Sequence, residues 1–212
     1  MNDNVVIDYG WNSADAPGSC AFLAPLVIKL LAHLKVKRVL DIGSGNGTLC
    51  SILEKHGYDA VGVETDQRGV ECARSACPNI KFYCFGVQDE PSELMSKEKP
   101  FDAVVSTEVV EHLFSPHMLP IYAKQTLRDD GFLIISTPYH GYFKNLALSI
   151  FNKWDFHHTP LWHGGHIKFW SRATLTQLLE DNGFRVIQFH GVGRIPYLWR
   201  SMVLVAQRIP HS

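Results

Sequence analysis

The chain lacks a dominant sign of charge: 20 lysines and arginines stand against 21 aspartates and glutamates over 212 residues, a formal net charge of −1. That balance offers no broad basic field to a nucleic-acid backbone or an anionic membrane. Apolar runs near the roughly 18–20 residues that span a bilayer are also missing, and the opening MNDNVVIDYGWNS has no basic flank before an apolar stretch. A soluble, unexported, cytoplasmic protein is the expectation. The five cysteines (Cys20, Cys50, Cys72, Cys77 and Cys84) form no C-x-x-C pair and sit mostly in apolar surroundings, which favours reduced structural thiols over disulfides or zinc ligands. There is no internal repeat and no low-complexity tract, and the length suits one globular domain rather than two.

What is present from Arg38 onward is alternation. RVLDI (38–42), DAVGVE (59–64), IKFYCF (80–85), FDAVVST (101–107) and GFLIISTP (131–138) read as strands. Between them GTLCSILEKHG (47–57) and DQRGVECARSAC (66–77) read as helices, and within 116–131 the apolar spacing predicts a helix starting near Pro120. Continuous β-branched runs such as AVVS and LIIS suit strands buried on both faces, so the pattern predicts a parallel sheet with helices on either side. An amphipathic helix, APLVIKLLAHLK (24–35), precedes this core. A helix with Ser171 as N-cap and Gly183 as C-cap follows it, and then two strands around FRVIQFHG and RSMVLVAQR.

DIGSGNGTL lies between the first strand and the first helix, which puts glycine backbone at the carboxyl edge of the sheet, where open α/β folds bind ligands. Gly43, Gly45 and Gly47 fall one residue short of the dinucleotide spacing, because Thr48 occupies the third glycine position. NAD is thereby disfavoured. The second strand ends in Glu64, whose two oxygens can accept from both hydroxyls of a ribose. The pair describes a nucleoside-bearing ligand without a diphosphate. Asp41, just before the turn, can orient the glycine loop or meet a cationic amino group.

On VLDIGSGNG, the acidic end of the second strand, FDAVVSTEVVEHL and LRDDGFLIISTP, the chain resembles the class I S-adenosylmethionine-dependent methyltransferases over roughly Val39 to Pro138. The resemblance implies an α/β fold: a single-domain, Rossmann-like, seven-stranded sheet, mostly parallel with an antiparallel last strand. It divides residues 1–212 into an N-terminal lid and helix (1–36), a cofactor-binding core (37–138), an inserted substrate lid (139–170) and the last helix and strands (171–212). It further implies that Asp41, Gly43, Ser44 and Gly45 hold the methionine moiety, with Gly47 completing the loop, and that Glu64, followed by Thr65, holds the ribose. Val87, Gln88 and Asp89 would lie near the adenine, and Thr107 or Glu108 near the sulfonium. FGVQDE departs from the commoner acidic dipeptide at the adenine position.

Methyl transfer to oxygen needs a positioned nucleophile whose proton is removed or masked. If a helix begins near Thr107, then Glu108, Glu111 and His112 stand at i, i+3 and i+4 and share one face. Two carboxylates and an imidazole can bind a divalent ion that acidifies a hydroxyl. The same glutamates can instead serve only as favourable charge in a first helical turn. A later string, HIKFWSR, adds His166, with His163 as a rival, and either can be ligand or general base. With E-x-x-E-H, this string resembles two branches: the metal-dependent small-RNA 3′-terminal 2′-O-methyltransferases, whose ion is held by two Glu and two His, and the ubiquinone-biosynthesis O-methyltransferases. The ligand set so implied is Glu108, Glu111, His112 and His166, for magnesium, manganese or zinc.

In the long segment 138–170, Phe143, Leu146, Ala147, Ile150, Phe151 and Trp154 recur at helical spacing between Lys144 and Lys153. This stripe can pack on the core, close over a substrate or make a weak peripheral membrane contact. Tyr9, Trp11, Tyr139, Tyr142, Trp162 and Trp170 add to the aromatic density, which suits a small apolar or aromatic acceptor better than a polyanion. RNA ribose methylation is the alternative acceptor chemistry, and an inactive cofactor-binding scaffold the alternative of another class.

Overall fold

The structure, a computed structural model, describes residues 18–158, 160–161, 164–193 and 195–210. Tyr9, Trp11, Trp162 and His163 lie outside the described residues. Seven strands form one sheet: β1 (Arg38–Ile42), β2 (Asp59–Glu64), β3 (Lys81–Cys84), β4 (Phe101–Thr107), β5 (Leu127–Pro138), β6 (Phe184–Val192) and β7 (Ser201–Arg208). Their order is β3-β2-β1-β4-β5-β7-β6. Neighbours from β3 to β5 are parallel, and β7 runs antiparallel to both β5 and β6. The strand order reverses between β1 and β4, so a crevice opens there at the carboxyl edge.

Eight helices accompany the strands among the described residues: α1 (Cys20–Leu34), α2 (Thr48–Lys55), α3 (Gln67–Ala76), α4 (Pro91–Met95), α5 (Met118–Thr126), α6 (Tyr142–Ile150), α7 (Trp154–His158) and α8 (Arg172–Asp181). Alternate strand residues feed two cores. Val39, Ala103 and Val105 pack with α1, α2 and α3 on one face. Leu40, Val104 and Leu133 pack with α4, α5 and α8 on the other. The period of two in a strand divides the apolar residues this way, and burial on both faces explains why the strands read as unbroken apolar runs. No described helix is long and apolar enough to cross a membrane.

Several boundaries differ from the sequence reading for physical reasons. Helix α1 starts at Cys20, a turn before Ala24, and carries Pro25 inside it. That extra turn buries Leu23 in the core, which outweighs the helix bond a proline cannot donate. Strand β5 begins at Leu127 instead of Gly131, because Leu127 pairs with Phe101 before the register shifts. Asp130, at φ 59, absorbs the irregularity in a stretch that reads locally as a turn. Helix α4 was not expected at all, and the C-cap of α8 is Asn182, with Gly183 following at φ 85.

Ser171 caps α8 as anticipated, and it does so within a reciprocal box: its hydroxyl accepts from the Thr174 amide at 3.2 Å and the Thr174 hydroxyl accepts from the Ser171 amide at 3.1 Å. This cap terminates the segment that delivers His166. Ser171→Ala should lower unfolding stability by about 1 kcal/mol, read as a lower urea midpoint at unchanged slope.

Candidate active site

A cavity of about 380 Å³ opens at the crevice. The β1 loop forms its floor. The Gly43 and Ser44 amides both donate to the Val63 carbonyl, at 2.9 and 3.0 Å, which anchors the loop to the end of β2. Gly43 has φ 77, and a Cβ there would fall 2.4 Å from Val109 Cγ2, so only glycine lets the loop pass the turn after β4.

Glu64 ties the neighbouring turns together. Its Oε2 accepts from the Gly45 amide at 2.9 Å, and its Oε1 accepts from the Asp66 amide at 2.9 Å and the Thr65 hydroxyl at 3.1 Å. A carboxylate has about four acceptor positions, so this group is immobilised and still able to accept from a ligand hydroxyl. Behind the loop, Asp41 is buried, and burial pushes its carboxyl up to about 7, against the pull of the Cys50 thiol, which donates at 3.5 Å. Asp41 Oδ1 and Ser44 Oγ are buried without a hydrogen bond.

Of the residues anticipated from sequence, Gly43, Glu64, Thr65, Val87, Gln88, Glu108, His112 and His166 line the cavity. Asp41, Ser44, Gly45, Gly47, Asp89, Thr107 and Glu111 are not among its lining residues. Ser19, Ile42, Phe85, Gly86, Val109 and Leu113 line it without having been anticipated. Phe85 directly follows β3, and its aromatic character at the carboxyl edge was an available signal. Ser19 carried none, since only the packing of α1 brings it there.

The helix expected from Thr107 does not form. Glu108 instead adopts φ 56, and only a short 3₁₀ turn, Val110–His112, follows. A left-handed residue other than glycine costs about 1–2 kcal/mol, and the neighbouring strands offset it. The Glu108 amide donates to the Ser136 carbonyl and Oγ, at 3.2 and 3.1 Å. The Ser136 and Ser201 hydroxyls donate to the two carboxylate oxygens, at 2.7 and 3.1 Å. Glu108 therefore turns toward β5 and β7, its carboxyl pushed up to about 7 by burial although both serines and the Lys144 charge oppose the rise.

The group that converges is Glu111, His112 and His166, with one ligand atom from each lying within 4.8 Å of the others. Glu108 is not part of it. Backbone contacts bring His166 in: the Ile167 and Lys168 amides donate to the Glu111 carbonyl at 2.9 and 3.0 Å. The two imidazoles meet edge to face at 5.0 Å. Burial lowers His112, and burial with the charges of His112, His158 and Lys144 lowers His166 to about 4, so both rings are neutral at neutral pH. Glu111 is raised well above the usual range by burial and by Glu108. Its Oε2 accepts from the Thr137 hydroxyl at 3.0 Å, while Oε1 is buried without a partner.

The aromatic stripe does not pack on the core. Phe143 is 59%, Ile150 67% and Phe151 70% exposed, and the buried residue of α6 is Lys144.

A family model described as "Methyltransferase domain" matches residues 18–189. The chain is 25% identical over 190 residues to the ubiquinone biosynthesis O-methyltransferase of Coxiella burnetii, covering 86% of this chain and 79% of that one. To the enzyme of the same name from Bradyrhizobium diazoefficiens it is 30% identical over 169 residues, covering 76% and 63%. Among solved structures, the magnesium protoporphyrin IX methyltransferase from Synechocystis with bound S-adenosylhomocysteine superimposes with a TM-score of 0.66 at 18% identity, covering 88% of this chain and 82% of that one. With the model matching most of its length, the chain belongs to the methyltransferase-domain family, in the S-adenosylmethionine-dependent class to which its first motif points.

Proposed function

We propose that this methyltransferase transfers its methyl group to an oxygen of a small aromatic or apolar acceptor, assisted by a divalent ion held by Glu111, His112 and His166. The observation that carries the reading is one of placement. His112 and His166 line the same cavity as Gly43 and Glu64, so the residues suited to a nucleoside and those suited to an acceptor oxygen face one space. Phe85, Val109 and Leu113 give that space apolar walls, and the name shared by the two curated relatives fits an O-acceptor of this kind. Near-zero net charge provides little attraction for a polyanion, so an RNA ribose is the less favoured acceptor.

The cofactor-side residues fit S-adenosylmethionine by their unmet hydrogen-bonding capacity. Asp41 Oδ1 and Ser44 Oγ stand buried and unpartnered behind the glycine loop, where an ammonium and a carboxylate of the methionine moiety need opposite and complementary groups. Glu64, held by three donors, is preorganised to accept from the ribose, and Val87 and Gln88, which line the cavity, would flank the adenine. When bound, the cofactor supplies an electrophilic methyl group. The protein positions the acceptor and excludes water around it.

Glu111, His112 and His166 fit an ion by the same test. The Glu111 oxygen without a partner and the two neutral rings form a carboxylate and imidazole set suited to zinc, manganese or, less well, magnesium. An ion there would supply Lewis acidity toward an acceptor hydroxyl. Glu108, fixed by two serine hydroxyls, lines the same cavity without joining the ligand set. In this reading segment 139–170 is the acceptor lid.

Glu64→Ala should weaken S-adenosylhomocysteine binding about ten- to a hundredfold, the equivalent of losing charge-assisted hydrogen bonds of roughly 1.5–3 kcal/mol. Calorimetric titration reads this, and unchanged affinity would remove Glu64 from the cofactor site. Equilibrium dialysis with manganese or zinc should find one ion per chain in the wild type and none in Glu111→Ala. Methylation of catechol-type acceptors that survives prolonged chelation would defeat the metal assignment.

Asp41 also makes the free protein sensitive to pH. Its folded-state pKa, about 7, lies above its ordinary value of 3.8. Between those values the folded chain binds more protons than the unfolded one, so stability falls as pH rises through the window. Glu108 contributes with the same sign. Thermal unfolding without cofactor should therefore occur at higher temperature at pH 5 than at pH 8, and Asp41→Asn should flatten the difference.

A further inference from the structure

Helix α6 inverts the usual arrangement of an amphipathic helix, with its one charged side chain, Lys144, buried and its rings in solvent. Its five exposed positions are Tyr142, Phe143, Leu146, Ser149 and Ile150. They stand four and three residues before Leu146 and three and four after it, which is the spacing of a single helix face. The four apolar members are between 41% and 74% exposed. Neighbouring rings extend this face at either side: Phe143 meets Tyr197 at 6.0 Å between centroids, and the Trp154 indole donates to the Ser149 hydroxyl at 2.8 Å. A whole aromatic side chain covers about 150–250 Å², so Tyr142, Phe143, Leu146, Ile150, Trp154 and Tyr197 together expose on the order of 700 Å². That exceeds the roughly 300–600 Å² of the largest apolar patch on an ordinary monomer. It approaches the about 800 Å² that each partner contributes to a stable protein interface.

The pattern of the face selects its occupant. A helix that lies on a lipid surface carries lysines and arginines beside its apolar stripe, whereas the exposed charged residues of 142–158 are Lys153 and Asp155, of opposite sign. The same balance gives a strongly charged partner nothing to pair with. A second copy of this chain fits, because the face is symmetric about its centre. In an antiparallel pair of helices crossing at Leu146, each position meets the one equally far from Leu146 on the other helix. Tyr142 then packs on the partner's Ile150 and Phe143 on the partner's Ser149, so each ring meets a smaller side chain and each contact occurs twice. We propose that the exposed face of α6 joins two copies of this chain about a twofold axis through Leu146. The pairing uses no part of the acceptor or metal reading and stands independently of both.

Analytical ultracentrifugation of the full chain should show a monomer–dimer equilibrium with a dissociation constant of about 1 μM or tighter. Leu146→Glu and Leu146→Lys should each raise that constant about a hundredfold, because a residue on the axis faces its own copy and like charges then meet. Mixed in equal amounts, these two variants should form a heterodimer, since opposite charges then meet across the axis. Ile150→Asp, away from the axis, should weaken the dimer as well. S-adenosylhomocysteine binding equal to that of the wild type reports that each variant is folded. The proposal is overturned if the wild type is monomeric at about 100 μM, if a folded Leu146 variant dimerises as the wild type does, or if the two monomeric Leu146 variants do not associate when mixed. A monomeric wild type that floats with phosphatidylglycerol vesicles would overturn it as well, and would assign the face to lipid.

Discussion

The Glu64 carboxylate holds the carboxyl edge of this sheet in one arrangement. Its oxygens accept from the Gly45 amide on the β1 loop and from the Asp66 amide at the start of α3, and through them the turns after β1 and β2 become one unit. A buried carboxylate is costly unless its oxygens are met by donors, and the glycine loop supplies a donor only because it curls tightly enough to present its amide. The loop in turn can curl there only because Gly43 has no Cβ to strike Val109. One carboxylate and one missing methyl group therefore locate the turn after β4 relative to the turn after β1, and the cavity lies between them.

From that constraint the histidine-lined side of the cavity follows by a second set of contacts. The turn after β4 is too short to be a helix, and serine hydroxyls from β5 and β7 hold Glu108 in a left-handed conformation. This conformation leaves Glu108 out of the group that Glu111 forms with His112 and His166. Glu111 turns inward to Thr137, and its backbone carbonyl receives the chain just after His166. The antiparallel strand β7 is thus more than a completion of the sheet, since its Ser201 hydroxyl is one of the two that hold the Glu108 carboxylate.

Electrostatics in the site follow from burial more than from pairing. Asp41, Glu108 and Glu111 are raised and His112 and His166 lowered, in each case chiefly by desolvation, so the charged form of every one of these groups is disfavoured in the free protein. Groups so placed are poised to gain from a ligand that brings compensating charge or hydrogen bonds. Lys144, the buried residue of α6, belongs to the same electrostatic neighbourhood, since its charge opposes the rise at Glu108.

The strands, the glycine turn and Glu64 were legible in the residues themselves. β-branched runs bounded by glycine and proline have few conformations open to them, and the position of Glu64 at a strand end follows from the register of DAVGVE. The Ser171 cap was legible for the same reason, since its partner lies three residues away. The role of STEVVEHLF was not. Its i, i+3 and i+4 spacing satisfies a helix start, and nothing local reveals that hydroxyls 28 and 93 residues distant draw Glu108 out of it. Nor does apolar spacing in 143–154 reveal that α6 buries its lysine and exposes its rings, because a periodic stripe states which residues share a face and not what that face meets. Local sequence determined the main strands and helices, where the deciding interactions lie within a few residues, and placed the glycine turn between the first of them. Tertiary structure decided which carboxylate joins the histidines and where the apolar surface of α6 points, because those depend on contacts between strands far apart in the chain.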